Sequence, residues 1–189
     1  MSEIEADMTK PFPMQRLVQG DVGSGKTVVA ALAAIDAVSA GSQAVMMAPT
    51  ELLAEQHFKT FTQWLTPLGM TVGWCAGKQT AAERRQVLEQ LKSGEIKVAV
   101  GTHALFQDEV IFNHLGLVII DEQHRFGVHQ RLALRDKGRD VDTMPHQLVM
   151  TATPIPRTLA MTAYADLSVS VIDELPPGRT PVTTVVVSD

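Results

Sequence analysis

The chain carries Gly20-Asp21-Val22-Gly23-Ser24-Gly25-Lys26-Thr27, which fits the phosphate-loop pattern G-x-x-x-x-G-K-[ST] at every required position. Glycines in such a loop let consecutive backbone N–H groups curl around anionic oxygens, because glycine takes positive φ without steric cost. Lys26 adds a point charge, and the Thr27 hydroxyl stands where it can hold Mg²⁺ as the following helix begins. The stretch therefore predicts a nucleotide-binding loop for Mg²⁺-ATP.

The flanks of this loop support the prediction and disfavour the alternative of a merely flexible Gly/Ser segment. Residues 16–19 have the pattern of a short strand. Residues 26–40 are rich in alanine, the best helix former, and Gly41 provides a stop. Three larger apolar residues recur on one face of this helix: Val28, Leu32 and Ile35.

Apolar runs and helical patterns alternate along the rest of the chain. The continuous apolar run at 44–48 has the composition of a strand buried on both faces in a parallel sheet, and further strands are predicted at residues 70–75, 96–100, 117–120 and 147–150. Helices are predicted over residues 1–10, from the cap Thr50 to Pro67, and from the capping box at Thr80 and Glu83 to Gly94. The alternation predicts an α/β fold: a doubly wound, mostly parallel sheet with helices on both faces and a site at the carboxyl ends of the strands.

Two adjacent carboxylates follow the apolar run at 117–120. Asp121 at a strand end can reach Mg²⁺ through its water shell, beside Lys26 and Thr27. Glu122 points elsewhere and can orient or deprotonate the attacking water. The alternative is that both residues merely end a strand, and the phosphate loop makes it the weaker interpretation.

Composition limits the class of protein. With 189 residues, of which 45% are hydrophobic, the chain can bury one full core. No apolar run approaches the ~18 residues of a membrane span. The acidic N-terminal stretch is unlike a secretory signal, and Cys75 is the single cysteine, so the cytoplasm is the expected compartment.

Charge and residue types also argue against two other kinds of site. The net charge of −5 gives no general electrostatic attraction to nucleic acid, so any DNA contact must come from specific loops. The six histidines lack Cys or His partners at the spacing of a structural zinc site. Trp64 and Trp74 fit core or interface positions better than base-stacking platforms, because no basic cluster surrounds them.

In order along the chain, these motifs resemble those of superfamily 2 helicases and translocases. The match covers nearly the whole chain: residues 20–27 are similar to motif I, 48–56 to motif Ia, 101–104 to motif Ib, 121–128 to motif II and 151–158 to motif III. Residues 121–128 carry an extension seen in the bacterial ATP-dependent DNA helicases that remodel stalled replication forks and Holliday junctions. Transcription-repair coupling factors share Arg-Phe-Gly-Val there, but they differ at Gln123-His124.

The resemblance implies a role for each motif residue. Catalysis is assigned to Lys26, Asp121, Glu122 and His124, nucleotide binding to Gly20 through Thr27, and Mg²⁺ to Thr27 and Asp121. The DNA backbone is expected at Thr50, Gly77, Lys78, Thr102 and His103, whereas Gln123, Arg125, Thr151, Thr153 and Arg157 are expected to couple the two sites. Alternatives stay open for three of them: Thr50 as a helix cap, His124 as a satisfied buried histidine and Arg125 as a salt-bridge partner.

The resemblance also implies a division of the chain. Residues 1–13 are a lead-in, residues 14–175 a RecA-like motor domain that binds ATP, and residues 176–189 a linker and the start of a second RecA-like domain. Pro176-Pro177-Gly178 and the β-like run at 182–187 support the last boundary. The partners expected outside these residues are branched DNA, the second domain with its arginine finger, and an N-terminal wedge domain. The chain alone is therefore expected to be nearly inactive, with no membrane partner.

Two other functions compete with this interpretation. One is a P-loop ATPase of another kind, such as a transporter or chaperone motor. The other is a nucleotide-binding module without catalysis. The run from Asp121 to His124, together with Thr151-Ala152-Thr153 at another strand end, favours the helicase.

Overall fold

The computed structural model describes residues 1–77, 79–122, 144–153 and 167–173. Its helices are α1 (Ser2–Met8), α2 (Lys26–Ser39), α3 (Glu51–Leu65) and α4 (Ala81–Ser93), with short 3-10 helices at Thr66–Leu68 and His103–Phe106. Its strands are β1 (Gln15–Gly20), β2 (Gln43–Met47), β3 (Val72–Cys75), β4 (Val98–Gly101), β5 (Leu115–Asp121), β6 (His146–Thr151) and β7 (Ser168–Ile172). Within the described ranges they form one sheet, ordered β3-β4-β2-β5-β6-β1-β7, and every pairing is parallel.

The predicted α/β fold is confirmed, and its local signals act as expected. Thr50 caps α3, because its Oγ1 accepts the Leu53 N–H at 3.3 Å. Thr80 and Glu83 form the predicted capping box of α4. Gly94 then ends that helix with φ of 78°, a conformation that glycine adopts without strain. No helix in the described ranges is both long and apolar enough to cross a membrane.

Both faces of the sheet are covered, because successive side chains of a strand point to opposite sides. In β2, Ala44 and Met46 belong to a buried cluster with residues of α1, α2 and α3. Val45 and Met47 belong to a second cluster with Leu91 of α4 and with the 3-10 helix His103–Phe106. Two-sided burial explains why these strands are continuous apolar runs rather than alternating ones.

The buried face of α2 differs from the apolar stripe that stands out in the sequence. Val28 is 46% exposed and Leu32 is 41% exposed, whereas Ile35 packs only partly against the core. Alanines fill the buried side instead, because a methyl side chain lets the helix backbone lie close against the sheet: Ala30, Ala31, Ala33, Ala34 and Ala37.

Strand β7 has no counterpart in the sequence-based prediction. It pairs with β1 at the edge of the sheet and runs from Arg16↔Ser168 to Gly20↔Ile172. Its residues are exposed or half-buried, so Ser168–Ile172 lacks the continuous apolar run that marks the central strands. The predicted β-like run at 182–187 lies outside the described residues.

Helix α1 is tied to the sheet by a buried ion pair. The Arg16 guanidinium of β1 donates to Asp7 Oδ2 through Nε at 2.9 Å and through Nη2 at 2.6 Å. The hydrogen bond from Lys10, followed by Arg16, lowers the pKa of Asp7. Ile4 is 2% exposed and lies in the same core cluster as α2. The first helix is thus packed onto the domain.

At the end of β4 the chain comes very close to β3. A Cβ atom added at Gly101 would lie 1.8 Å from the carbonyl oxygen of Cys75, so only glycine fits there. This close approach lets the Thr102 N–H donate to the same carbonyl at 3.3 Å. It also sets where Thr102 and His103 leave the sheet.

Candidate nucleotide site at the strand carboxyl ends

Parallel pairing brings the carboxyl ends of all the strands to one edge of the sheet. The strand order divides that edge into two halves. The ends of β1, β5 and β6 lie in one half, and they carry the phosphate loop, Asp121-Glu122 and Thr151. The ends of β3, β4 and β2 lie in the other half, and they lead to Gly77, Thr102 and Thr50. The residues predicted for nucleotide and for DNA are therefore sorted into neighbouring halves, with β2 and β5 at the border.

The phosphate loop has the backbone shape that its glycines predict. Gly23 and Gly25 have φ of 81° and 92°, a left-handed conformation that other residues adopt only with strain. The Ser24 N–H donates to the Asp21 carbonyl at 3.1 Å. The Lys26 ammonium lies inside the loop and donates to the carbonyl oxygens of Gly20 at 2.6 Å and Asp21 at 2.8 Å.

Several groups around the loop suit a bound triphosphate. Ser24 Oγ is buried without a hydrogen-bond partner. Gly25, the residue before α2, offers no side chain to cap that helix, so the first N–H groups of α2 stay available to an anion. The loop thus presents orphaned polar groups and a positive charge in one place.

Asp121 ends β5 and is the carboxylate that the sequence predicts for the metal. Its side chain is 13% exposed, and its Oδ2 lies 2.7 Å from Nε2 of His57. The Thr27 hydroxyl and the Asp121 carboxylate are hard oxygen donors, the kind that Mg²⁺ prefers. This donor set fits Mg²⁺ with a partial water shell. In the described part of the chain, no group of three His, Cys, Asp or Glu residues could hold another metal.

Glu122 turns away from its neighbour. Its φ is 50°, a left-handed conformation that is uncommon outside glycine and that clusters at functional sites. Its Oε1 accepts the Ala152 N–H at 3.1 Å, and its own N–H donates to the Met150 carbonyl at 2.9 Å. The two carboxylates are thus held by different elements, α3 for Asp121 and the end of β6 for Glu122.

His57 is the site residue that the sequence prediction missed. A signal was present, because His57 stands three residues after Ala54 and four before Phe61, on the buried face of α3. A histidine on an otherwise apolar face needs a hydrogen-bonding partner. The identity of that partner could not be deduced, since Asp121 lies 64 residues further along the chain.

The residues predicted to couple the sites are described only in part. Thr151 is 3% exposed, and its Oγ1 accepts the N–H of Thr153 at 3.1 Å. Thr151 is the last residue of β6, and the N–H of the next residue, Ala152, donates to Glu122. The remaining predicted residues of motifs II and III lie outside the described ranges: Gln123, His124, Arg125 and Arg157.

The residues predicted to face DNA differ in accessibility. Thr50, Gly77 and His103 are exposed, and Thr50 also acts as the helix cap that was its alternative role. Thr102 is 2% exposed, with its Oγ1 buried and unpartnered. Lys78 lies outside the described residues. The exposed members leave the sheet at its β2, β3 and β4 ends.

Known proteins resemble the chain in sequence and in fold. A family model described as DEAD/DEAH box helicase matches residues 5–162. The chain is 66% identical over 187 residues to the ATP-dependent DNA helicase RecG of Pasteurella multocida (strain Pm70), covering 99% of the chain and 27% of that relative. It is also 66% identical over 189 residues to RecG of Escherichia coli (strain K12), covering 100% of the chain and 27% of the relative. The chain thus spans roughly a quarter of the length of these curated relatives.

A solved structure of RecG bound to a three-way DNA junction shares the fold. Its TM-score is 0.80 at 45% sequence identity, and the match covers 96% of the chain and 24% of that structure's chain.

We predict that Lys26→Ala weakens triphosphate binding by about 1.5–3 kcal/mol, because charge-assisted hydrogen bonds to phosphate are lost. This corresponds to a roughly 10- to 150-fold rise in Kd. Lys97→Ala is a matched control, since the Lys97 ammonium also donates to a backbone carbonyl, that of Gly94 at 2.7 Å, but ahead of β4. Titration with a fluorescent ATP analogue measures both variants. An unchanged affinity for the ATP analogue in Lys26→Ala would contradict the assignment of residues 20–27 as the phosphate-binding loop.

Proposed function

The chain belongs to the DEAD/DEAH box helicase family, and from this membership we propose that it is the ATP-binding motor domain of an ATP-dependent DNA helicase. The resemblance to superfamily 2 helicases is thereby confirmed. The observation that carries the proposal is the strand-end edge, where the phosphate loop and Asp121-Glu122 stand beside exposed loops at Thr50, Gly77 and His103. Relatives of high identity carry the name ATP-dependent DNA helicase RecG.

In this proposal the nucleotide half of the edge performs ATP hydrolysis. The loop backbone and Lys26 would bind the phosphates, and Thr27 and Asp121 would hold Mg²⁺. The metal supplies positive charge that offsets the charge developing on the transferred phosphoryl group. Glu122, held by the Ala152 N–H, orients or deprotonates the attacking water. The resemblance to superfamily 2 helicases assigns His124 to catalysis together with Lys26, Asp121 and Glu122.

The DNA half would contact the phosphate backbone rather than the bases. Such contacts position a protein without reading sequence. Five residues form the proposed contact: Thr50, Gly77, Lys78, Thr102 and His103. Because Thr102 is nearly buried, its contribution needs a small opening of the loop after β4. The coupling residues Gln123, Arg125, Thr151, Thr153 and Arg157 would transmit nucleotide state to this half.

We further propose a setting for this domain in the whole protein. Residues 1–13 lead in, 14–175 form the RecA-like domain, and 176–189 link it to a second RecA-like domain that supplies an arginine finger. A wedge domain would grip branched DNA, and the substrates would be stalled forks and Holliday junctions, in DNA repair and recombination. The relative solved on a three-way DNA junction supports branched DNA as the partner. The cytoplasm is the proposed compartment, since these residues hold the single cysteine Cys75 and so no internal disulfide.

Glu122→Gln separates binding from hydrolysis. In the complete parent protein, we expect ATP binding within about threefold of wild type, since glutamine keeps an oxygen for the Ala152 N–H. Hydrolysis should fall by about 10²–10⁴-fold, the usual contribution of general acid–base catalysis. Single-turnover rates and equilibrium titrations measure the two quantities. Equal loss of both would show that Glu122 is structural.

DNA binding should be weak, independent of sequence and strongly dependent on salt, since phosphate contacts dominate. Lys78→Ala should weaken binding uniformly across sequences and reduce the salt slope by about one. Lys92→Ala, in the last turn of α4, is the control. Amide shifts on adding DNA should cluster at Thr50, Gly77 and His103. Shifts at the amino ends of the strands would contradict the proposed surface.

The isolated chain should fold cooperatively yet hydrolyse ATP far more slowly than the complete protein. An arginine finger from a partner domain is worth on the order of 10³–10⁵ in phosphoryl-transfer rate. Steady-state turnover of the 189-residue chain, with and without forked DNA, tests this against the complete protein. Turnover within about tenfold of the complete protein would show that Lys26, Asp121 and Glu122 need no partner domain.

A further inference from the structure

His57 makes a direct hydrogen bond to the carboxylate assigned to the metal. Its Nε2 lies 2.7 Å from Asp121 Oδ2, and the two side chains are 10% and 13% exposed. An ionised carboxylate can only accept, so the bond runs from the His57 Nε2–H to Asp121. A hydrogen bond of this length to a charged acceptor, shielded from water, is among the stronger polar contacts in a protein. It therefore fixes the orientation of the Asp121 side chain.

The helix that carries His57 is itself held firmly. Ala54, Phe61 and Leu65 of α3 are 0% exposed, and the latter two belong to the core cluster that includes residues of β2. Thr50 caps the start of the same helix. The imidazole is thus presented from a rigid element rather than from a loop. The element to which it bonds is equally rigid, since β5 pairs with both β2 and β6.

The bond also crosses the border between the two halves of the strand-end edge. Helix α3 follows β2 and begins at Thr50 in the proposed DNA half, whereas Asp121 ends β5 in the nucleotide half. His57 lies seven residues after Thr50, about 10 Å along the helix axis at 1.5 Å per residue. Helix α3 and the hydrogen bond from His57 thus connect the proposed DNA half to Asp121, the carboxylate proposed for the metal.

We propose that His57 is a positioning residue for the Mg²⁺ site: its Nε2–H holds Asp121 Oδ2 and thereby fixes the orientation of the carboxylate that would meet Mg²⁺ or its water shell. The inference rests on the proposed function, because it takes Asp121 as the residue that meets Mg²⁺. Hydrogen bonds to metal-binding carboxylates commonly tune metal affinity, and their loss typically costs 10- to 100-fold. His57 would not touch the nucleotide and would act only through Asp121.

A purely structural role for His57 would give a different experimental result. If His57 served only to fill the buried face of α3, its loss would lower the stability of the domain and leave metal binding intact. Phe61→Leu provides that comparison. Phe61 lies one turn further along the same buried face, is 0% exposed, and carries a phenyl ring that has no N–H or O–H to donate to a carboxylate.

The test measures metal binding directly in the complete parent protein. Mn²⁺, which has a paramagnetic signal, is titrated by electron paramagnetic resonance in the presence of a saturating non-hydrolysable ATP analogue. We expect His57→Ala to weaken Mn²⁺ binding 10- to 100-fold. We expect His57→Gln, whose amide N–H can take the place of Nε2–H, to recover affinity to within about threefold of wild type. Phe61→Leu should lower the melting temperature and leave Mn²⁺ affinity unchanged.

A second readout isolates the metal from the nucleotide. Binding of ADP in excess chelator should be the same in wild type and in both His57 variants, because the phosphate loop is untouched. The Mg²⁺ concentration for half-maximal ATPase should rise in His57→Ala by the same factor as the Mn²⁺ constant. A KM for ATP that rises at saturating Mg²⁺ would instead place His57 on the nucleotide and overturn its role as a positioning residue.

The outcomes distinguish this inference from the function on which it rests. If wild type binds Mn²⁺-nucleotide, Asp121→Asn loses that binding and His57→Ala keeps it, then the inference is wrong and the proposed function stands. If wild type shows no metal-dependent nucleotide binding, the proposed function fails and the inference falls with it. Weakened binding in His57→Ala with recovery in His57→Gln supports both.

Discussion

Parallel pairing of every strand is the constraint on which the rest of this domain depends. A parallel sheet brings all its carboxyl ends to one edge, and residues that are far apart in the chain meet there as neighbours. It also requires a crossover between successive strands, and the helices that make these crossovers bury both faces. The apolar runs of β2 and β5 follow from this two-sided burial, and β5 and β6 end in the polar residues Asp121 and Thr151.

The order of the strands separates the predicted nucleotide-binding residues from the predicted DNA-binding residues along that edge. With β2 next to β5, the strand ends predicted for DNA and those predicted for nucleotide are separated but share a border. The edge needs no overall positive charge for this, and the chain has a net charge of −5. Positive charge is needed only where phosphates bind, and two backbone carbonyls hold the Lys26 ammonium inside the predicted phosphate loop.

At the border, the two adjacent carboxylates are held by two different elements. Asp121 bonds to His57 of α3, and Glu122 bonds to the N–H of Ala152 after β6. Glu122 reaches its partner only by taking a φ of 50°, a conformation that carries strain for a residue with a side chain. Movement of α3 or of the segment after β6 would therefore act on a different carboxylate. This separation suits a site whose metal ligand and whose base have distinct tasks.

The sequence by itself determined the features that depend on near neighbours in the chain: the phosphate loop, the caps at Thr50 and Thr80, the alternation of strands and helices, and the carboxylates at the end of β5. Only the tertiary structure decided the strand order, the alanine face that α2 buries, the edge strand β7 and the partner of His57. Turn chemistry, capping and hydrophobic period act over a few residues, so they are legible in the sequence. Strand order and the bond from His57 to Asp121 join residues far apart, and the energy that selects them exists only once the sheet has formed.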